Sequence, residues 1–165
     1  MNETTLENLF PLGIRPGMII PYAHKGKWAV HQLLPLFFEQ IGPFHLRLAT
    51  FNISEDALRP IFFMKERDEL LSVQFLFDRN VQRHKIDMLL FANNVAEQVR
   101  ISSSHMKVML VHNEKCNIAV VGSANMNRNL RHEAGYIATD NNYNFFSDYF
   151  DDVYQNDSIQ VYGAE

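Results

Sequence analysis

Apolar and polar residues alternate with different periods in successive segments of this chain. A period of two predicts strands at residues 44–51, 71–77 and 99–101. Helical spacing of the apolar residues predicts helices at residues 28–41, after an N-cap at Ser54, and at residues 81–95. Pro35 is expected to kink the first helix or to mark its restart. Strands that alternate with helices indicate an α/β fold, with a mixed β-sheet flanked by helices.

The second half of the chain predicts a β-hairpin. Two apolar runs, at residues 108–111 and 118–121, are separated by the polar turn at residues 113–116. A further strand is predicted at residues 136–139. The apolar positions between residues 145 and 153 lie on one face of a predicted closing helix.

Length and composition favour one globular domain, residues 1–165, of which 47% are hydrophobic. Residues 1–43 are interpreted as an N-terminal extension with a helix, irregular over residues 1–27, and residues 44–165 as the core. No apolar run reaches the ~20 residues of a membrane span, and the first residues lack the features of a signal peptide. Because Cys116 is the only cysteine, we expect a cytoplasmic protein without an internal disulfide.

His105 and Lys107 carry the most informative chemistry. Residues two apart on an extended strand point to the same face, so the imidazole and ammonium groups are expected to lie side by side. The sequence Gly122-Ser123-Ala124-Asn125 follows the second apolar run of the hairpin and is expected to lie close to both. An imidazole beside a fixed positive charge, with a hydroxyl and an amide nearby, is suited to phosphoryl transfer.

These residues resemble the signature of the phospholipase D superfamily. The family pattern is HxK followed by GSxN, and here the residues read HMK at 105–107 and GSAN at 122–125. The later sequence RHEAGYI, at 131–137, is also similar. The resemblance covers about residues 105–137, and the order of the flanking elements fits the family from about residue 44. The chain is therefore interpreted as a phospholipase D-like domain with a single motif.

The resemblance implies a phosphodiesterase that needs no metal ion or other cofactor. One histidine would attack phosphorus and form a phosphohistidine, and a second would protonate the leaving oxygen and then activate water. A glutamate would accept the ring N–H of the histidine and fix its tautomer. The implied catalytic residues are His105, Lys107, Asn125 and Glu133, and the implied substrate-binding residues are Ser123 and Arg128.

The chain departs from the family pattern at His112, where the family usually has Asp. Lys107 and His112 differ by an odd number of positions, so they point to opposite faces of an extended strand. His112 is therefore expected to have a supporting role away from the phosphate. The same parity, with no suitable Asp or Cys nearby, argues against a metal site formed by His105 and His112.

The chain contains one HxK motif, whereas the implied reaction needs two histidines. Small bacterial endonucleases of the family solve this by homodimerising, so we expect a homodimer in which two copies of His105 share one site. Nucleic acid, either DNA or RNA, is the expected substrate. The net charge is −4, but residues 99–133 contain five basic and two acidic residues, a local charge of +3.

Two other functions stay open at this point. The first is a phospholipase or a phosphatidyl-type transferase, which is expected to have an exposed apolar surface. The second is a catalytically weak module that binds phosphate or nucleic acid without cleaving it, an alternative favoured by His112 in place of Asp. A basic and aromatic segment, residues 24–28, could contact nucleic acid, although such a segment is more often a loop that enters a helix.

Overall fold

The computed structural model describes residues 2–161, which form an α/β fold around one mixed sheet of eight strands. The strands are β1 (Ile19–Lys25), β2 (Phe44–Thr50), β3 (Leu70–Asp78), β4 (Gln98–Ser102), β5 (Val108–His112), β6 (Asn117–Gly122), β7 (His132–Thr139) and β8 (Ile159–Gln160). Their order across the sheet is β1-β7-β6-β5-β2-β3-β4-β8. The parallel pairs are β2 with β3 and β3 with β4, and all other neighbours are antiparallel. The predicted fold class is confirmed.

Five α-helices cover the two faces of this sheet. They are α1 (Leu33–Ile41), α2 (Glu55–Glu66), α3 (Arg79–His84), α4 (Ile86–Val95) and α5 (Tyr143–Asn156), with 3₁₀ turns at Leu6–Asn8 and Val30–Gln32. The larger core contains buried side chains of α1, α2 and α4, and a smaller core lies beneath α5. No helix within residues 2–161 combines the length and the apolar character that a bilayer crossing requires.

Strand β5 separates the two cores. Met109 and Val111 belong to the larger core, whereas Val108 and Leu110 belong to the smaller one. All four are buried because helices cover both faces of the sheet at this point. This explains why the sequence of β5 is continuously apolar instead of alternating.

The predicted hairpin is confirmed as β5 and β6, joined by the turn at residues 113–116. In this turn the Asn113 side-chain oxygen accepts hydrogen bonds from the backbone N–H groups of Lys115 and Cys116, at 2.8 and 3.0 Å. The helix after Ser54 and the closing helix are also confirmed, although α5 extends beyond the predicted residues at both ends.

Several predicted boundaries are wrong. Residues 1–27 are not irregular throughout, because β1 pairs with β7 along its whole length. The predicted helix at 81–95 is divided at Lys85 into α3 and α4, and α1 begins only at Leu33, which places Pro35 in its first turn. There a missing backbone N–H costs no intrahelical hydrogen bond. The short strand β8 was not predicted.

One edge of the sheet collects the ends of several central strands. The carboxyl ends of β2, β3, β4 and β6 lie there, together with the amino ends of β5 and β7. Because β5 starts at this edge, the residues that precede it also lie there. The parallel strands make this the edge at which open α/β sheets usually place ligands.

Candidate active site

A polar cleft of about 510 Å³ opens at this edge of the sheet. It brings together five of the six predicted site residues, which are separated by up to 28 positions of sequence between His105 and Glu133. The residues that line it are Phe51, Asn52, His105, Lys107, Ser123, Asn125, Asn127, Asn129, Arg131 and Glu133.

His105 lies on the loop between β4 and β5 and not on the strand itself. The side chain of Asp78 fixes this loop: one carboxylate oxygen accepts the backbone N–H of Ser104 at 3.0 Å, and the other accepts that of Asn80 at 2.7 Å. The exposed His105 ring packs against Phe51, with ring centroids 4.8 Å apart. The imidazole is therefore accessible from the cleft but has a supported position.

Lys107 lies beside His105, as the two-residue spacing predicted. Its Nζ atom is 3.2 Å from Nδ1 of His105 and 3.4 Å from the His105 carbonyl oxygen. Burial lowers the pKa of Lys107 from its ordinary value, and the carboxylate of Glu133 acts in the opposite direction. The ammonium thus lies in the cleft between an imidazole and a carboxylate.

Asn125 connects the cleft to the end of β2. Its Oδ1 atom accepts the backbone N–H of Asn52 at 3.1 Å and lies 3.4 Å from the Thr50 hydroxyl. The neighbouring Met126 forms a parallel bridge with Ile53, so the two loops are joined by backbone contacts as well. With the oxygen occupied, the amide nitrogen of Asn125 is the polar atom available to a ligand in the cleft.

Glu133 is held by two neighbours on its own side of the cleft. Its carboxylate accepts hydrogen bonds from the Ser123 hydroxyl and, at 3.2 Å, from the side-chain nitrogen of Asn129. The expected hydrogen bond from the ring of His105 to Glu133 is not formed, because the Nδ1 atom of that ring faces Lys107 instead. Ser123 is fixed in turn, since its oxygen accepts the backbone N–H of Ala134 at 3.1 Å.

The arginine in the cleft is Arg131 and not Arg128. Arg128 is exposed outside the cleft, near the buried His31. Burial is the main cause of the lowered pKa of His31. Asp56 raises this pKa, and the charge of Arg128 lowers it further. The side-chain oxygen of Asn129 accepts the backbone N–H of Arg131 at 2.8 Å and shapes the loop that presents this arginine.

His24 is the least expected residue near the site. It is buried on β1 opposite Glu133, and neither ring nitrogen has a hydrogen-bond partner among residues 2–161. Its ring packs on Trp28, with centroids 4.3 Å apart. His24, Ser123 and Glu133 also line a second cavity of about 250 Å³, so the Ser123–Glu133 pair lies between this cavity and the cleft. Burial lowers the pKa of His24, although Glu133 and Glu3 oppose this shift.

His112 lies on the face of the sheet that α5 covers, at the end of β5 away from the cleft. Its ring stacks on that of His45, with centroids 4.7 Å apart, and Arg47 of the same face bonds to Asp151 and to Tyr143 of α5. The opposite orientations of Lys107 and His112 thus follow the predicted parity. Within residues 2–161, no group of three or more His, Cys, Asp or Glu side chains has the arrangement of a metal site.

The fold resembles a solved structure of phosphatidylserine synthase from Haemophilus influenzae Rd KW20. The match has a TM-score of 0.56 and 14% sequence identity and covers 87% of this chain but 40% of the synthase chain. The synthase has a phospholipase D-superfamily fold. The chain described here has a phospholipase D-like fold. It spans less than half of the synthase, so the comparison concerns the fold and not the activity of the whole enzyme.

Two further structures are similar at a lower level. The archaeal chromatin protein TrmBL2 matches with a TM-score of 0.49 and 9% identity over 92% of this chain and 55% of its own. Polyphosphate kinase from Porphyromonas gingivalis matches with a TM-score of 0.47 and 10% identity over 86% of this chain and 23% of its own. No protein-family model and no curated protein sequence matches this chain.

Proposed function

We propose that this phospholipase D-like chain is a phosphodiesterase that cleaves nucleic acid through a phosphohistidine on His105. The observation that carries the proposal is the contact between Lys107 Nζ and His105 Nδ1, 3.2 Å apart, in a polar cleft. A nucleophile next to a cation, with side-chain amides lining the same cleft, matches the needs of phosphoryl transfer.

The contact also links the tautomer of His105 to the position of the Lys107 ammonium. While the Lys107 ammonium donates to Nδ1, the neutral His105 ring carries its proton on Nε2, which cannot attack. A phosphate in the cleft offers the ammonium a charged acceptor and frees Nδ1 to hold the proton. The lone pair of Nε2 then forms the bond to phosphorus as the bond to the leaving oxygen breaks. Substrate binding thus activates the nucleophile.

Three donors are suited to stabilise the negative charge that develops on the phosphoryl oxygens. They are the ammonium of Lys107, the side-chain nitrogen of Asn125 and the guanidinium of Arg131, all of which line the cleft. Glu133 takes the supporting role: it anchors Ser123 and Asn129 and compensates the charge of Lys107.

The second histidine of the reaction is proposed to come from a second copy of the chain. Among residues 2–161, His105 is the one histidine that lines the cleft, whereas His24 and His132 line the neighbouring cavity. A two-fold axis through the cleft would place the partner's imidazole on the far side of the phosphate. There it can protonate the leaving oxygen and later take a proton from the attacking water.

Nucleic acid is the proposed substrate because the cleft is lined almost entirely by polar side chains. Phe51, beside His105, is the aromatic exception and offers a surface on which a base can stack. A phosphatidyl-group transferase is the second candidate, since the fold resembles phosphatidylserine synthase. Leu130, 77% exposed on the loop beside the cleft, favours this alternative.

One set of assays tests the proposal. Hydrolysis of bis(4-nitrophenyl) phosphate, of single-stranded DNA and RNA, and of phosphatidylcholine vesicles is measured in EDTA. We expect turnover of the chromogenic diester and of nucleic acid and its loss in His105→Ala, with no loss in His84→Ala, an exposed histidine outside the cleft. Turnover of lipid alone would support the second candidate. No turnover of any diester, or full activity of His105→Ala, contradicts the proposed mechanism.

The covalent intermediate and the shared site need separate tests. Rapid acid-free quenching with a labelled diester should trap, on His105, the phosphoryl group that keeps its second ester, identified by mass spectrometry, and the adduct should be absent in His105→Ala. Sedimentation should show a dimer under assay conditions. An active monomer would disprove the shared site without disproving the role of His105.

A further inference from the structure

Several exposed cations are grouped at the edge of the sheet where the cleft opens. Among residues 2–161, the ion pairs engage Lys27, Arg47, Arg59, Lys65 and Arg67. The exposed cations outside these pairs that lie at the edge of the cleft are Lys25, Arg79, Arg83, Arg128 and Arg131. The opposite edge has the exposed acids Glu66, Asp68, Glu114 and Asp140 and the cation Lys115, while the exposed acids Glu55 and Asp56 begin α2 on the cleft side. A protein with net negative charge thus presents a group of exposed cations where its cleft opens.

Helix α3 supplies two of these cations on one side of the cleft. Arg79 and Arg83 are four residues apart and therefore share a helix face, while Val81 is buried. Arg79 lies in the first turn, where the helix dipole disfavours a positive charge, and like charges at this spacing repel each other. Neither the position of Arg79 nor its spacing from Arg83 stabilises helix α3. Asp78, directly before Arg79, holds the loop that carries His105, so the two arginines lie beside that loop.

Lys25 and Arg131 supply positive charge on the other side. Arg131 lines the cleft, and Lys25 at the end of β1 is paired in register with His132, the next residue after Arg131. Both side chains are exposed. We call Lys25, Arg79, Arg83 and Arg131 the basic rim.

We propose that a single nucleic-acid strand lies across this edge, with its phosphates held on both sides of the cleft by the basic rim. The inference rests on the proposed function for the position of the scissile phosphate. Four strand spacings separate β7 from β3, which corresponds to roughly 19 Å. At about 3.4 Å per nucleotide, the rise of a stacked strand, the rim spans about six nucleotides. The acids nearest to this path, Asp78 and Glu133, already accept hydrogen bonds from the protein.

The chain provides a matched control for this proposal. Arg59→Gln/Arg67→Gln removes two arginines that pair with Glu55 and Glu69, and it changes the net charge by the same amount as Arg79→Gln/Arg83→Gln. The N-cap residues Ser54 and Asp78 are unchanged in both variants, and residue 67 caps the end of α2 through its backbone N–H, which Gln retains. A difference between the two variants therefore reports the position of the arginines and not the total charge.

The experiment measures binding of a fluorescent single-stranded 12-mer by anisotropy in EDTA over a range of salt concentrations. Loss of two phosphate contacts should reduce the slope of log K against log salt by about 1.4 in Arg79→Gln/Arg83→Gln, with affinity about tenfold lower or more. The control should match wild type. Lys25→Gln/Arg131→Gln should show a similar loss from the other side. Equal losses in control and rim variants, or no loss in either rim variant, would overturn the proposal.

Oligonucleotide length gives a second, independent readout. Wild-type affinity should rise from the dinucleotide up to about six nucleotides and then level off, because longer strands reach no further rim contacts. If the affinity for the oligonucleotide does not change with its length, the proposed binding of phosphates along the basic rim is contradicted. The binding assay needs no turnover. If the rim variants lose binding but the wild-type protein hydrolyses no diester, the proposed function alone is refuted. Hydrolysis without rim dependence would refute this inference alone.

Discussion

Gly122 on β6 and Gly135 on β7 are paired across the sheet, and the Tyr22 hydroxyl lies against the position that a Cβ atom of either would take. A Cβ on Gly122 would lie 2.8 Å from the Ala134 carbonyl oxygen, and one on Gly135 would lie 2.7 Å from the Cα of Gly122. The glycine of the GSAN sequence is thus required by this close approach of two strands and not by an unusual backbone angle.

Gly122→Ala should therefore lower the free energy of unfolding by about 1–3 kcal/mol, the usual cost of overpacking. Urea unfolding measures this, with Ala134→Ser, a comparable addition at an exposed position of β7, as the control. The Tyr22 hydroxyl is the nearest obstacle, at 2.5 Å, so Tyr22→Phe should restore part of the loss in the double variant. A fully stable Gly122→Ala would contradict the described packing.

Asn125→Asp separates the structural role of this residue from its proposed chemical role. The aspartate keeps an oxygen for Asn52 N–H and Thr50 but replaces the amide donor in the cleft with a negative oxygen. We expect a thermal midpoint close to wild type and a turnover lower by ~10²–10³-fold, as for loss of a donor to a developing oxyanion. Asn94→Asp, on the exposed surface of α4, should leave both unchanged. Normal turnover by Asn125→Asp would remove the amide from the mechanism.

Asp78 is predicted to be a positioning residue for His105. In Asp78→Asn, one oxygen remains to cap α3, since Asn is a good N-cap, but the amide nitrogen cannot accept the N–H of Ser104. Diester turnover should fall by about tenfold, because a misplaced catalytic group is costly, while the thermal midpoint changes little. Asp87→Asn, an exposed acid at the start of α4, is the control. Parallel loss of stability and turnover would indicate a general structural role instead.

His112 is expected to affect the pH dependence of stability and not the chemistry. Burial, His45 and Arg47 lower its pKa in the folded protein, against a smaller opposing effect of Asp151. Below pH ~6.5 the unfolded chain therefore binds more protons than the folded one, so stability is retained above this pH and lost as the pH falls. Thermal unfolding between about pH 7 and 5 should show this loss, and His112→Phe should reduce it. The remainder should come from His24 and His31, whose pKa values are also lowered by burial.

A pH dependence identical in wild type and His112→Phe would show that the pKa of this ring is the same in the folded and the unfolded protein, contrary to its burial. A stable His112→Phe without diesterase activity would place His112 in the reaction, contrary to its position on the α5 face.

Local pattern was sufficient to predict the centre of the sheet. The hairpin of β5 and β6 follows from two apolar runs and a polar turn, and the side-by-side placement of His105 and Lys107 follows from spacing alone. The two side chains lie side by side even though β5 begins only at Val108. The reason is that side chains also alternate between the two faces along extended backbone that is not paired in a sheet.

Structural features that depend on pairing between distant segments of the chain could not be predicted from the local sequence pattern. Strand β1 contains Pro21 and is followed by Gly26, both of which suggest a loop, and only pairing with β7 makes it a strand. A proline is tolerated there because β1 is at the edge of the sheet. The burial of His24 depends on the same pairing, so sequence spacing gives no sign of it.

Loop conformation accounts for the differences within the site. Arg128 and Arg131 are three residues apart on the same irregular loop, and only the hydrogen bonds of Asn129 decide which of them faces the cleft. The partner of Glu133 depends likewise on the rotamers of Ser123 and Lys107. Residue type and spacing predicted five of the residues that meet in the cleft, whereas their contacts required the three-dimensional arrangement.

The pairing of residue 24 with residue 133 has a consequence for the order in which the molecule folds. The β5–β6 hairpin and the β2–β3 unit join neighbouring segments and can form early, but β1 has to wait for β7, more than 100 residues further along the chain. During synthesis, His105 and Lys107 leave the ribosome well before the strand that carries Glu133. The cleft therefore acquires His105 and Lys107 first and Glu133 last, so the unpaired edge of β6 is exposed to wrong partners in the interval.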